Sequence, residues 1–303
     1  MNLQAFYQVR GNLYKFFKKY ETIIQAVIKF VGFLVIFRII SGSEMFEGGG
    51  PLNSFWLQLV LAAVATVLPN RCGVLIAILL GGYNIITASL IGGILLLVLM
   101  LVLYIITARF TPEYAYFMLV IPLCIHTKFY LLVPLLAGMY IGTISVIPIV
   151  TGTLMWGIVR MIPAFLAIQS GELELSQLPQ ILTSASTYGY EQLLKNNELI
   201  FIAATLVVVM LTVNLLQKLQ KDYIQYIALG AGGVLGLICL LTCKIAVGLS
   251  AGYFLVILCS LVAVVIAAVV QFMWIPLDYK AAQNLSFSDD EYFYQVRVVP
   301  KIN

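Results

Sequence analysis

The groups in this chain able to do chemistry are few, and most of them lie in apolar surroundings. His126, the single histidine, stands two residues before Lys128 in PLCIHTK, and Lys29 and Arg160 also fall within apolar runs. Apart from Glu113 at the start of the 109–148 stretch, no expected span holds Asp or Glu, although proton-coupled carriers and cation pathways place a carboxylate at membrane depth. A cavity lined by His126, Lys128, Lys29 and Arg160 favours an anionic or carboxylate-bearing solute, aided by helix N-termini behind prolines. Asn84, Thr87, Ser89, Thr143 and Ser145 are candidates for neutral hydrogen bonds to it. Plainer readings stand beside these. His126 and Lys128 also suit the end of a span, the long stem of Lys29 can snorkel, and Ser or Thr within a helix bonds back to its own turn.

Enzyme chemistry finds no footing. There is no GxSxG, HExxH or Walker A pattern and no pair of intramembrane aspartates, and Gly48, Gly49 and Gly50 lack both a preceding strand and a following GK[ST]. One histidine and five cysteines, all in or beside apolar segments, make neither a zinc spacing nor a disulfide framework. The sequence therefore calls for no metal and no cofactor. It also lacks the basic, aromatic-interleaved face that nucleic acid requires.

The elements that must position these groups are membrane helices. Of the 303 residues, 62% are hydrophobic and 10% charged, and the mean hydropathy is +1.03, far from a soluble domain. The expected fold is an all-α polytopic integral membrane protein of eight to ten crossings, in contact with the lipid bilayer. Residues 1–21 form a basic segment with an apolar stripe, suited to an anionic cytoplasmic surface or to a flexible tail. They lack a small-residue cleavage site, so the first span is expected to stay attached.

Residues 22–277 form the transmembrane domain. A first span over 22–40 leads to an acidic outer loop, and a second returns to Pro69, Asn70 and Arg71. The uncharged run from 72 to 108 is about twice the length a bilayer needs and must fold back near Thr87–Ser89. Residues 169–197 read as an acidic outer loop, and 199–275 as three further helices. Lys and Arg at the inner ends place both termini in the cytoplasm. The GxxxG spacings at Gly232/Gly236 and Gly248/Gly252 read as helix packing.

The irregular piece is 109–148. Pro122, Pro134 and Pro148 interrupt it and Gly138 and Gly142 loosen it, a combination tolerated at membrane depth where protein or a water-filled cavity satisfies the backbone. A shift of 56 residues lays 75–91 on 131–147, matching Gly82 with Gly138, Thr87 with Thr143 and Ser89 with Ser145. Units of 54–109 and 110–165, each with three crossings, would form a 3+3 inverted repeat. The alternative is that 113–142 is a re-entrant hairpin from the cytoplasm with His126 and Lys128 at its tip.

The tail, 278–303, changes character. Tyr292, Tyr294, Val296 and Val298 alternate with their neighbours at the period of a strand, a β-like cytoplasmic segment suited to a partner protein's sheet edge or to a second copy, making a homo-oligomer. With RFTPEY at 109–114, the proline-broken core and SDDEYFYQVRVVPKI at 288–302, the chain resembles over nearly its whole length an uncharacterised family of bacterial polytopic membrane proteins, sometimes labelled ABC transporter permeases. The resemblance implies a polytopic fold and, through the permease label, a cytoplasmic ATPase subunit as partner; it carries over no catalytic or binding residue. A transport protein, either permease subunit or small secondary carrier, is the leading expectation. The second is a scaffold that recruits a cytoplasmic partner for envelope or secretion machinery.

Overall fold

A computed structural model describes residues 16, 18–42, 54–167, 178–219, 223–248, 252–274, 283–288 and 293–298. Most of the basic N-terminal segment, the loop at 43–53, residues 168–177 and Tyr292 lie outside them. Among the described residues there are eleven α-helices: α1 (Glu21–Gly42), α2 (Phe55–Val67), α3 (Asn70–Ala88), α4 (Leu90–Phe110), α5 (Phe117–His126), α6 (Leu132–Tyr140), α7 (Val146–Ala167), α8 (Leu178–Leu194), α9 (Asn197–Gln217), α10 (Ile224–Val247) and α11 (Tyr253–Trp274). A two-stranded ribbon, β1 (Gln283–Ser288) with β2 (Phe293–Val298), follows.

Seven of these helices, α1, α3, α4, α7, α9, α10 and α11, are long and apolar enough to cross a membrane, which is fewer than the eight to ten expected. The difference lies in α2, α5 and α6, with 13, 10 and 9 residues. At 1.5 Å per residue they reach about 20, 15 and 14 Å against a hydrocarbon core of about 30 Å.

Side-chain registers give the directions. Phe33 packs over Gly73, and Ile40 faces Gly81 and accepts from Asn84 through its carbonyl, so α1 and α3 run parallel. The fold-back expected near Thr87–Ser89 occurs at Ser89, whose extended backbone (φ −148°) breaks α3 from α4. The two then pack as a hairpin, Gly82 against Leu97 and Gly93 against Ile86. Thr107 bonds Thr151 at one end of α7 and Gly92 approaches the Phe165 carbonyl at the other, so α4 and α7 are antiparallel. The bundle thus has an Asn70 end, where Glu113 and Thr107 also lie, and a Ser89 end, where α7 finishes and α9 begins.

Two hydrophobic cores form. One joins α1 to α4 through Phe33, Ala65, Ile78 and Leu96; the other joins α6, α9, α10 and α11 through Leu135, Val209, Leu229 and Ala263. Helices α5 and α7 contribute to both, with Ile121 and Ile149 facing the second and Met118 and Ile158 the first. The irregular stretch is thus the partition on which both halves close.

The GxxxG expectation divides. Gly232 and Gly236 admit Val213, Leu131 and Leu135 against α10, as packing requires. Gly248 instead ends α10 in the left-handed region (φ +81°), and neither it nor Gly252 has a neighbour that a Cβ would meet. Both glycines lie outside the helices.

Candidate functional site

Residues 113–142 fold as a helix hairpin. Helix α5 runs alongside α7, with Ile121 against Gly152 and the His126 ring 6.0 Å from that of Trp156. The chain turns at 127–131, and α6 returns alongside α9, with Gly138 against the Met210 carbonyl and Gly142 against Asn214. Its entry, where the Glu113 carbonyl accepts from Asn70, and its exit at Gly142, where α7 begins, lie at the same end of the bundle. Neither half-helix is long enough to cross, so the tip stops part-way.

Local sequence explains the turn. Thr127 caps α5 by donating through its backbone N–H to Leu123 and through its hydroxyl to Leu123 and Cys124. Lys128 then takes a left-handed conformation, φ +68°, with its N–H on the Ile125 carbonyl. That position usually belongs to Gly or Asn, because a Cβ there costs about 1–2 kcal/mol. The prolines act differently from one another. Pro134 and Pro148 occupy the first turns of α6 and α7, where the missing N–H would have no intrahelical partner. They start helices rather than hinge them, while Pro122 sits inside α5.

At the tip the structure gathers a set of residues from separate elements. His126 ends α5 and is exposed, Lys128 is half-buried, and Trp156 and Arg160 project from α7. Arg160 Nη1 donates to Glu198 Oε2 at 2.7 Å. Asn196 caps α9, accepting from the Glu198 and Leu199 N–H groups, which fixes the first turn carrying that carboxylate. Beneath His126 and Arg160 lies a cleft of about 250 Å³ walled by α1, α3, α5 and α7, with Ile36, Ile78, Gly81, Leu123, Met155 and Val159 in its lining. His126 and Arg160 are its ionisable lining residues.

The other expected site residues do not converge there. Ser89 is buried at the Ser89 end with its hydroxyl on the Phe165 carbonyl (3.5 Å), whereas Ser145 is buried just before α7 with its hydroxyl on the Gly142 carbonyl (2.6 Å). Twenty residues of α7 separate them, about 30 Å. Thr87 bonds back to the Asn84 carbonyl and Asn84 itself holds α1 through Ile40; Thr143 is exposed in the short 3₁₀ turn at Thr143–Ser145. Thr87 and Ser145 thus bond within their own turns, while Ser89 ties the α3–α4 break to α7. Lys29 moves as well: four residues before Phe33 on a helix parallel to α3, it lies about 6 Å from the level of Gly73, hence level with Asn70 at the end of the bundle. It stands apart from the hairpin tip.

The paired positions of the 56-residue repeat have different surroundings. Helices α4 and α7 begin 56 residues apart, and the helices of 54–109 run opposite to their counterparts in 110–165. Yet α3 packs on α4, while α6 packs on α9, α10 and α11 and α5 packs on α7. A Cβ on Gly82 would meet the flexible end of Leu97, and one on Gly138 would meet the Met210 backbone carbonyl at 2.7 Å.

Sequence reasoning missed Glu198, which fell one residue outside the apolar window drawn for α9, and Arg38, exposed on α1. In the tail, β2 has a partner within the chain: β1 pairs with it antiparallel, Leu285 opposite Val296 and Phe287 opposite Tyr294. Tyr294, Val296 and Val298 remain exposed. Compared with protein-family models, curated proteins and solved structures, the chain matches none.

Proposed function

We propose that this chain is a membrane transport protein for an anionic or carboxylate-bearing solute, with the α5–α6 hairpin dipping into the bilayer from the cytoplasmic side. The observation that carries the reading is the hairpin itself: entry and exit at one end, and a tip that carries Lys128 and brings His126 to the cleft that Arg160 lines, where two hydrophobic cores meet. Broken, re-entrant backbone at membrane depth is tolerated only against protein or a cavity, and carriers build their sites there. Arg71, Arg109 and Lys218 lie at the Asn70 end, which the charge rule assigns to the cytoplasm of a bacterial plasma membrane. Because α1 and α3 run parallel, α2 must carry the chain back between them, and with that return both termini lie inside.

The test is flux. Protein reconstituted in phosphatidylcholine vesicles is expected to give saturable uptake of acetate, succinate or inorganic phosphate, reduced at least tenfold in the double variant His126→Gln, Lys128→Gln. Vesicles that take up none of the three anions above the protein-free rate would overturn the reading.

The β1–β2 ribbon supports a second reading, a scaffold that recruits a cytoplasmic partner. A two-stranded ribbon is marginal in water, and this one presents an exposed Leu285/Val296 pair suited to a partner's strand. An ATPase subunit bound there would join the two readings as a permease complex.

A further inference from the structure

We infer that the cleft beneath Arg160 takes the alkyl chain of a single-chain anionic amphiphile, which enters sideways from the bilayer and leaves its headgroup against Arg160 and His126. The inference names a substrate class for the transport reading and rests on it for its biological sense, although binding is measured separately from flux.

The walls carry the argument. Helix α1 leans on α2 and α3, and its Ile36, Ile39 and Ile40 line the cleft together with Leu123, Trp156 and Val159. Ile39 is 44% exposed and the Arg160 side chain 44% exposed, which makes the mouth lateral. An apolar cavity of this kind stays dry and takes an apolar guest, and about 250 Å³ falls just below the range of pockets for drug-sized ligands, which suits one chain better than two.

Polarity confined to the Arg160 end decides the other half of the ligand. A guanidinium has five N–H donors, and Arg160 gives one to Glu198, leaving donors for a carboxylate or phosphate. His126 stands beside it, Lys128 is two residues on, and Glu198 is the nearby carboxylate. The balance favours an anionic headgroup over a zwitterionic or neutral one.

Gly81 makes the hypothesis testable without disturbing the fold. A Cβ there meets nothing closer than Ile40 Cγ2 at 3.9 Å, so Gly81→Leu grows into the cleft; Leu123→Trp fills it from the opposite wall. The full chain in phosphatidylcholine nanodiscs is photolabelled with palmitic acid carrying a mid-chain diazirine, and with its methyl ester, and the adducts are mapped by mass spectrometry. Acid adducts on α1, α5 and α7 at least ten times more abundant than ester adducts, and cut at least tenfold in both filled variants at unchanged thermal midpoint, are expected. Lysophosphatidate should compete and lysophosphatidylcholine should not, which extends the headgroup from carboxylate to phosphate; competition by palmitate alone restricts it to fatty acids. Equal labelling by acid and ester, or labelling that survives both filled variants, overturns the inference. Nanodiscs report no flux, so a protein that binds palmitate yet moves no anion sinks the transport reading and leaves the site standing.

Discussion

Arg160 on α7 and Glu198 on α9 meet at 2.7 Å, and that contact fastens the first turn of α9 to α7 a little above the tip of the α5–α6 hairpin. With the two side chains 44% and 19% exposed, solvent screening holds its worth to about 1 kcal/mol or less. Glu198→Gln should therefore lower thermal stability only slightly, and a double-mutant cycle with Arg160→Gln should give a coupling within that bound. If Arg160 also receives the anion, Arg160→Gln costs flux far out of proportion to stability while Glu198→Gln does not. Equal flux losses in the two variants would show that the pair acts only as a fastener.

The hairpin's path predicts which positions share a side. Cysteines introduced at Glu113 and Thr143, both exposed at the Asn70 end, should react with a membrane-impermeant maleimide from the same face of sealed vesicles. A cysteine at Thr87, exposed at the Ser89 end, should react from the other. Two crossings and one dip both return position 143 to the side of 113, so a cysteine at position 128 decides between them: labelling from the Thr87 side would mean that the stretch crosses twice.

Gly82 and Gly138, equivalent under the 56-residue shift, should respond unequally to Ala. The new methyl at Gly82 meets Leu97 Cδ1, which can rotate away; at Gly138 it meets the Met210 carbonyl of α9, which cannot. Overpacking against backbone costs about 1–3 kcal/mol, so Gly138→Ala should unfold in detergent at a clearly lower temperature than Gly82→Ala. Matching losses would restore a case for equivalent environments.

What could be read from the sequence was set by length and charge. The uncharged run from 72 to 108 had to fold back once, and Ser89 is where it does so, because a run twice the bilayer thickness leaves no other choice. The proline-broken stretch was visible as irregular, but 28 or so apolar residues fit two crossings or one dip equally, and what favours the dip is the shortness of its helices, 10 and 9 residues, which the prolines alone do not announce. The site was harder still. Arg160 and Glu198 are 38 residues apart, and no periodicity links them. Small hydroxyl residues looked alike at Thr87, Ser89, Thr143 and Ser145, yet a hydroxyl that caps its own turn has the same sequence signature as one that binds a solute. β1, with Leu285 and Phe287 alternating against Asn284 and Ser286, was short enough to pass unnoticed beside the aromatic strand it pairs with.

The last prediction uses the conformation of Lys128. Its φ of +68° burdens a residue with a Cβ by about 1–2 kcal/mol, and glycine there removes that strain while adding back up to about 1 kcal/mol of unfolded-state entropy. Lys128→Gly should thus be as stable as the parent or slightly more so, and Lys128→Gln should match the parent's strain without its charge. If the ammonium is held in an unfavourable backbone geometry because the tip needs a cation there, both variants lose anion flux to the same degree although their stabilities differ. Lys128→Arg, which keeps charge and strain, should retain flux. A loss of flux in Lys128→Gly alone would instead assign the role to the rigidity of the turn, since glycine is the one substitution of the three that loosens it.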